Sequence, residues 1–110
     1  MPTYLIEKEI PIRRQEGDTA DIVFTVPEII NMANYSCKLA VKSTSGTSLI
    51  LKDSTDGGAA IQGQVVSVQL GSNDTKRKAG THRWELELYN NDEVITIGRG
   101  VFEIVAEMIR

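Results

Sequence analysis

The sequence is poor in the residues on which most protein chemistry depends. Its 110 residues include one cysteine, Cys37, and one histidine, His82. A lone cysteine cannot close an internal disulfide, and a lone histidine lacks the companions of a zinc site or a catalytic triad. Cys37 falls in an alternating apolar run, which favours a buried structural thiol over a reactive one. His82 is expected to be structural, with a ligand or pH-sensing role as the alternative.

Long apolar runs are also missing, and this bears on membranes and export. No run exceeds four apolar residues, so no segment is long enough to cross a bilayer as a helix. Glu7, Lys8 and Glu9 stand where a signal peptide needs an unbroken apolar stretch. We therefore expect a chain that is made in a reducing cytoplasm without a signal peptide and has no membrane partner.

The charge of the chain does not favour binding to the phosphate groups of nucleic acids. The formal net charge is −3, and the one basic cluster, residues 76–78, is three residues long. Nucleic-acid binding depends on many neutralised phosphates, so we expect no nucleic-acid partner.

Alternation of apolar and polar residues with period two is the dominant pattern that is present. It predicts seven strands, in residues 4–12, 21–26, 35–42, 49–52, 64–70, 81–89 and 94–104. Pro27 should end the second strand, and residues 28–34 should cross over with one short helical turn. Many short strands with regularly spaced turns predict one all-β domain over residues 1–110, an immunoglobulin-like antiparallel β-sandwich of about seven strands.

The run 81–89 has the clearest alternation. Its inner face should carry His82, Trp84, Leu86 and Leu88, and its outer face Arg83, Glu85, Glu87 and Tyr89. Trp84 is expected to anchor the core. Residues 90–92 tolerate left-handed backbone, which predicts a hairpin to the last run, and Gly98 and Gly100 predict a bulge or bend there.

Two polar connections are expected to lack regular strands. Residues 53–60 should form a loop, and in residues 71–79 Ser72 or Asn73 should cap a short helical turn. The edges of the sheets are expected at the first run, where Pro11 and charged outer residues resemble edge protection, and at the last run, which its glycines would bend.

None of the chemically suggestive groupings predicts an active site. Asp53 and Asp56 precede two glycines, but ordinary turn chemistry explains them better than weak Ca²⁺ binding. Glu85 and Glu87 have the spacing of a carboxylate pair, yet they lie on the face opposite Trp84, where a solvated surface is expected. The glycines around Arg99 lack the spacing of a phosphate loop. We therefore expect no catalytic, metal or cofactor-binding residues, no cofactor and no enzymatic activity.

The order of segments along the chain carries a resemblance to a known group. The segments are Asn73-Asp74-Thr75, Ala79-Gly80-Thr81, Trp84-Glu85-Leu86-Glu87-Leu88 and Gly100-Val101-Phe102-Glu103-Ile104, preceded by Gly17-Asp18-Thr19, Ile22-Val23-Phe24-Thr25-Val26 and Tyr35-Ser36-Cys37-Lys38-Leu39-Ala40-Val41-Lys42. This order resembles small phage tail and baseplate β-sandwich domains, including the N-terminal domain of siphophage baseplate upper proteins. The similarity consists of turns and strands, so no functional residue is carried over from it.

The resemblance implies a non-enzymatic structural or assembly module of a phage or prophage tail or baseplate. Its partners would be other virion proteins of the tail, baseplate or fibre, with a homo-oligomer as a further form, and its location would be the virion. The alternative is a carbohydrate- or host-receptor-binding sandwich. Of six aromatic residues, only Tyr4 and Tyr89 are expected to face outward, which disfavours sugar binding. The partner-binding residues stay unassigned.

Overall fold

The computed structural model describes residues 11–106, which contain eight strands and one turn of α-helix. In chain order the elements are β1 (Ile12–Gln15), β2 (Ala20–Thr25), β3 (Ser36–Lys42), β4 (Ser48–Asp53), β5 (Ala59–Gln62), β6 (Val65–Leu70), α1 (Ser72–Thr75), β7 (Gly80–Tyr89) and β8 (Val94–Val105). Short 3₁₀ turns lie at Met32–Asn34 and Ser54–Asp56. Most of the predicted first strand, residues 4–10, lies outside the described residues.

The strands form two sheets, as the alternation predicts. The larger sheet has the order β1-β8-β7-β3-β4 and the smaller one β2-β6-β5. Neighbouring strands are antiparallel except at one edge, where β1 runs parallel to β8 with Ile12 opposite Phe102. No hairpin joins β1 to β8, so no turn length dictates their relative direction.

The core lies between the sheets and consists of the predicted inner faces. In β3 the side chains of Cys37, Leu39 and Val41 are buried, and in β7 those of Trp84 and Leu86 are buried. The outward-facing residues of the same strands are half-buried or exposed, which is the alternation of a sheet with one wet face. Trp84 and Phe102 are the largest fully buried side chains among the described residues.

The predicted β7–β8 hairpin is confirmed, although its turn does not use the left-handed backbone that residues 90–92 tolerate. Among the described non-glycine residues, positive φ occurs at Arg77 and not in residues 90–92. The Asn90 Oδ1 atom instead accepts the N–H groups of Asp92 at 2.8 Å and Glu93 at 3.0 Å. This side-chain bonding replaces the left-handed conformation as the way to turn the chain. The predicted bulge is confirmed: Leu86 pairs with Gly98 and Glu87 with Thr96, which leaves Ile97 between them.

The two polar connections confirm one prediction and correct two details. The short helical turn predicted in residues 71–79 is confirmed as α1. The loop prediction for residues 53–60 is wrong at its end, where β5 begins and pairs Ala59 with Val68 of β6. A strand of four residues shows too little alternation to stand out. The cap prediction for α1 is wrong by one position, since Gly71 is the cap and its N–H donates to Asp74 Oδ2 at 2.7 Å.

The edges of the two sheets differ from those expected. The prediction that the last run is an edge is wrong, because β8 lies between β1 and β7. β1 pairs in parallel with β8 and is itself an edge strand within residues 11–106. Most of the run predicted as an edge, residues 4–12, lies outside the described residues. Within residues 11–106 the other edges are β4, β2 and β5.

Candidate interaction surfaces

The cysteine and the histidine both have structural contacts. Cys37 is fully buried, as predicted, and burial raises the pKa of its thiol. His82 is half-buried, and its Nε2 atom lies 2.7 Å from the Lys78 carbonyl oxygen. A carbonyl can only accept, so Nε2 carries the proton of this bond. Residues 11–106 hold no group of three or more His, Cys, Asp or Glu side chains that could ligate a metal ion.

The two aspartates of the candidate calcium loop make turn bonds. Asp53 Oδ1 accepts the N–H and the hydroxyl of Thr55, each at 3.0 Å, and the Tyr89 hydroxyl at 2.6 Å. Burial opposes ionisation of Asp53, but the hydrogen bonds from Tyr89 and Thr55 prevail and lower its pKa. Asp56 Oδ1 accepts the N–H of Gly58 at 2.9 Å. Their oxygens therefore serve the 3₁₀ turn, as ordinary turn chemistry predicts.

Tyr89 is held in place at both its hydroxyl and its ring. The hydrogen bond to Asp53 raises the pKa of the Tyr89 hydroxyl. The Lys38 Nζ atom lies 5.3 Å from the ring centroid, within the range of a cation–π contact. One face of the ring is thus occupied, which reduces its value as a stacking platform for a sugar. Tyr4, the other outward aromatic expected from the sequence, lies outside the described residues.

The remaining charged candidates lie at the surface or serve the fold. Glu85 is exposed, and Glu87 forms an ion pair with Lys38 at 3.7 Å, so the two acids belong to the outer face of the sheet. From the basic cluster, the Lys78 Nζ atom donates to the carbonyls of Leu49 and Asp74, both at 2.9 Å. Lys78 therefore ties α1 to the edge strand β4.

An apolar groove lies between the sheets beside β2. It encloses about 240 Å³, and its lining includes Ile22, Phe24, Val26, Trp84, Leu86 and Ile97. β2 pairs with β6 on one side, and no strand within residues 11–106 pairs with its other side. Val23 on β2 is 59% exposed. A strand edge and an apolar groove are therefore adjacent, an arrangement that the sequence pattern alone did not indicate.

A second concavity lies on the outer face of the larger sheet. It encloses about 290 Å³ around Ala40, and its charged lining residues are Lys42, Arg83, Arg99 and Glu85. We call it the outer-face depression. Each charged residue stands at an outward position of a predicted strand, but only the neighbour order of β3, β7 and β8 brings them together.

Comparison with known proteins bears on the fold. The Ig-like domain of mouse Leukocyte-associated immunoglobulin-like receptor 1, solved as a strand-swapped dimer, superposes with a TM-score of 0.52 over 96% of this chain and 98% of that chain, at 8% identity. The fold is immunoglobulin-like. At this identity the likeness concerns the fold alone.

The other known proteins add no functional assignment. An uncharacterized protein from Bacillus anthracis str. Ames gives a TM-score of 0.47 at 11% identity over 96% of this chain and 85% of that chain. Extracellular domains 3-5 of Drosophila OTK give 0.37 at 16% identity over 88% of this chain and 32% of that chain. No family model and no curated protein matches. None of the helices in residues 11–106 is long and apolar enough to span a membrane.

Proposed function

We propose that this chain is a non-enzymatic attachment module of a phage or prophage tail or baseplate, which binds an extended segment of another virion protein along β2. The observation that carries the binding role is that no strand within residues 11–106 pairs with the side of β2 next to the apolar groove. A strand edge presents backbone N–H and C=O groups that another chain can pair with.

The groove adds a side-chain component to this edge. An added strand directs alternate side chains to one face, so its apolar residues would enter the groove against Ile22, Phe24 and Ile97. Backbone pairing then supplies affinity, and the groove supplies selectivity for apolar residues at every second position. The mouse receptor domain with this fold was solved as a strand-swapped dimer, which supports strand exchange as a capacity of such sandwiches.

The phage part of the proposal is supported by the resemblance of the segment order, above all in residues 73–104. It is tested separately from the binding mode. The genes on either side of this one should encode tail or baseplate proteins, and their products are the partners to use in binding experiments.

The experiment is sedimentation velocity on the purified chain, alone and mixed with each neighbouring gene product. We expect one complex whose dissociation constant rises at least about ten-fold in Val23→Lys, because a lysine beside the paired strand must lose hydration. Val94→Lys is the matched control, since Val94 is 58% exposed against 59% for Val23 but lies on β8.

Three outcomes would contradict the proposal. One is a monomer that binds no neighbouring gene product, and another is an equal loss of affinity in both lysine variants. The third is a complex with a neighbouring gene product that forms only after residues 1–10 are deleted. That result would show that the chain's own N-terminal segment occupies the β2 edge. A monomer that retains a defined sugar in a calorimetric titration would favour the carbohydrate-binding alternative.

A further inference from the structure

The outer face of the larger sheet pairs its charges in two places and opposes like charges in a third. Lys38 lies opposite Glu87 with an ion pair of 3.7 Å, and Arg13 lies opposite Glu103 with one of 3.3 Å. Lys42, however, lies directly opposite Arg83. Like charges facing each other on neighbouring strands repel, so the proximity of Lys42 and Arg83 does not by itself stabilise the sheet.

The opposed cations border the outer-face depression, and a third cation joins them there. Arg99 lines the same concavity, across from Glu85 in the β7–β8 register. In the part of the chain that the structure describes, neither Lys42 nor Arg99 forms an ion pair, although Glu85 is near at hand. Three positive side chains thus surround a cavity of about 290 Å³ in a chain whose net charge is −3.

The walls of the depression suit a protruding side chain. Ala40 is a small residue, so the floor between Lys42 and Glu85 is low, and the turn with Ser43, Thr44 and Gly46 forms one wall. That turn is fixed by hydrogen bonds: the Ser43 N–H donates to the Thr47 carbonyl at 2.9 Å, and the Gly46 N–H donates to the Ser43 carbonyl at 2.9 Å. A fixed wall lowers the entropy cost of binding.

We propose that the outer-face depression is a docking site for an acidic segment of a partner protein, whose carboxylates contact Lys42, Arg83 and Arg99. This inference rests on the proposed attachment function and specifies the chemistry of a second contact. Guanidinium groups bind carboxylates through two parallel hydrogen bonds, and an incoming carboxylate also relieves the repulsion between Lys42 and Arg83.

A protein segment fits this surface better than a nucleic acid. A duplex presents a continuous row of phosphates and calls for a long basic stripe, whereas here the cations are confined to one concavity that also contains the Glu85 carboxylate. Beside Ala40 in the register lies Leu51, which is 60% exposed. A site with clustered cations next to an exposed leucine matches an acidic peptide that also carries an apolar residue.

The test uses the full chain and a fluorescein-labelled octapeptide of glutamate, with an octapeptide of glutamine as the uncharged comparison. Binding is followed by fluorescence anisotropy at about 20 mM salt and again at about 200 mM. Two pairs of variants with equal charge changes locate the site. Arg99→Gln is compared with Arg13→Gln, and Glu85→Gln with Glu103→Gln; each control lies on the same sheet away from the depression.

We expect the glutamate peptide to bind and the glutamine peptide not to bind. Arg99→Gln should weaken binding at least about five-fold while Arg13→Gln changes it less than two-fold, because only Arg99 lines the depression. Glu85→Gln should strengthen binding about two- to five-fold, since it removes a like charge beside the carboxylates, and Glu103→Gln should not.

The inference would be overturned by no binding of the glutamate peptide, by equal effects within either variant pair, or by full displacement of the peptide by inorganic phosphate at about 1 mM. A duplex DNA probe that competes equally well would assign the site to nucleic acid instead. These failures are distinct from failure of the proposed function, which depends on β2. If Val23→Lys weakens a complex but the glutamate peptide does not bind, the attachment function is supported and the acidic docking site is refuted.

Discussion

The indole ring of Trp84 and the phenyl ring of Phe24 pack against each other with their centroids 5.2 Å apart and their planes at 37°. Trp84 belongs to β7 in the larger sheet and Phe24 to β2 in the smaller sheet, so this contact joins the two layers. On β8 the residue opposite Trp84 is Gly100, which has no side chain to compete with the indole for interior space.

Replacing Trp84 by alanine should lower the free energy of unfolding by about 3 to 5 kcal/mol, because the cavity left between the sheets cannot close completely. That is a large part of the total stability of a typical domain. Urea unfolding followed by circular dichroism measures the loss. A double-mutant cycle with Phe24→Leu should show a coupling of about 0.5 to 1.5 kcal/mol between the rings. Equal urea midpoints for Trp84→Ala and the parent would contradict this prediction.

Gln64 should be essential to the connection between β2 and β3. Its side-chain amide donates to the carbonyls of Val26 at 3.3 Å, Pro27 at 2.9 Å and Ile30 at 3.1 Å. Gln64→Glu should cost about 2 to 4 kcal/mol at neutral pH, because a carboxylate cannot donate and would face these oxygens. Gln62→Glu, at an exposed position of β5, is the control and should be close to neutral.

The loss in Gln64→Glu should shrink on acidification. A carboxyl group facing carbonyl oxygens has a folded-state pKa above its unfolded value, so the folded state binds the proton more tightly and gains stability as the pH falls. Urea midpoints at pH 7 and pH 4 test this, and a variant that is equally unstable at both would contradict the assigned role of the amide.

The bond between Tyr89 and Asp53 should stabilise the fold only over a defined pH range. The pKa of Asp53 is lowered from its ordinary value of 3.8. The ionised Asp53 carboxylate therefore stabilises the fold above that pH, and this stabilisation disappears as the pH falls through the folded-state pKa. The pKa of Tyr89 is raised from its ordinary value of 10.0. The protonated Tyr89 hydroxyl therefore stabilises the fold below that pH, and this stabilisation disappears as the pH rises through the folded-state pKa.

Tyr89→Phe should therefore be less stable than the parent at pH 7, with a difference that narrows in strong acid and in strong base. Urea midpoints at each pH provide the measurement. In an Asp53→Asn background the stability difference caused by Tyr89→Phe should no longer narrow in acid, because the titrating carboxyl group is gone. A difference that stays constant across the whole range would show that the ring, and not the hydrogen bond, is responsible.

The Cys37 thiol should be unreactive toward disulfide reagents in the folded protein. It is fully buried, and burial raises its pKa, which suppresses the thiolate that reacts with disulfides. The native chain should react with Ellman's reagent at pH 8 only at the rate at which it unfolds, and rapidly in urea. A Ser48→Cys variant in a Cys37→Ala background supplies an exposed thiol for comparison. Equal rates for the two thiols would refute the assignment.

Alternation alone determined most of the local structure. The side-chain period of a strand is fixed by its geometry, so the inner positions of Cys37, Leu39, Trp84 and Leu86 followed from apolar residues at every second place. The bulge beside Gly98 followed from the same source, since a glycine in an otherwise regular strand marks a break in the ladder. These features depend only on neighbours along the chain.

Apart from the predicted β7–β8 hairpin, the choice of neighbouring strands was decided only by the tertiary structure. The parallel pairing of β1 with β8 makes β8 an interior strand, and β2, which is an edge strand among the described residues 11–106, has the apolar groove beside it. The outer-face depression likewise unites Lys42 and Arg99, which are far apart in sequence. Side-chain period fixes which face a residue occupies, but it holds no information on strand order, because that order is selected by burial summed over both sheets. The sequence therefore determined what lies inside the sandwich, and the assembled sheets decided which surfaces it offers to a partner.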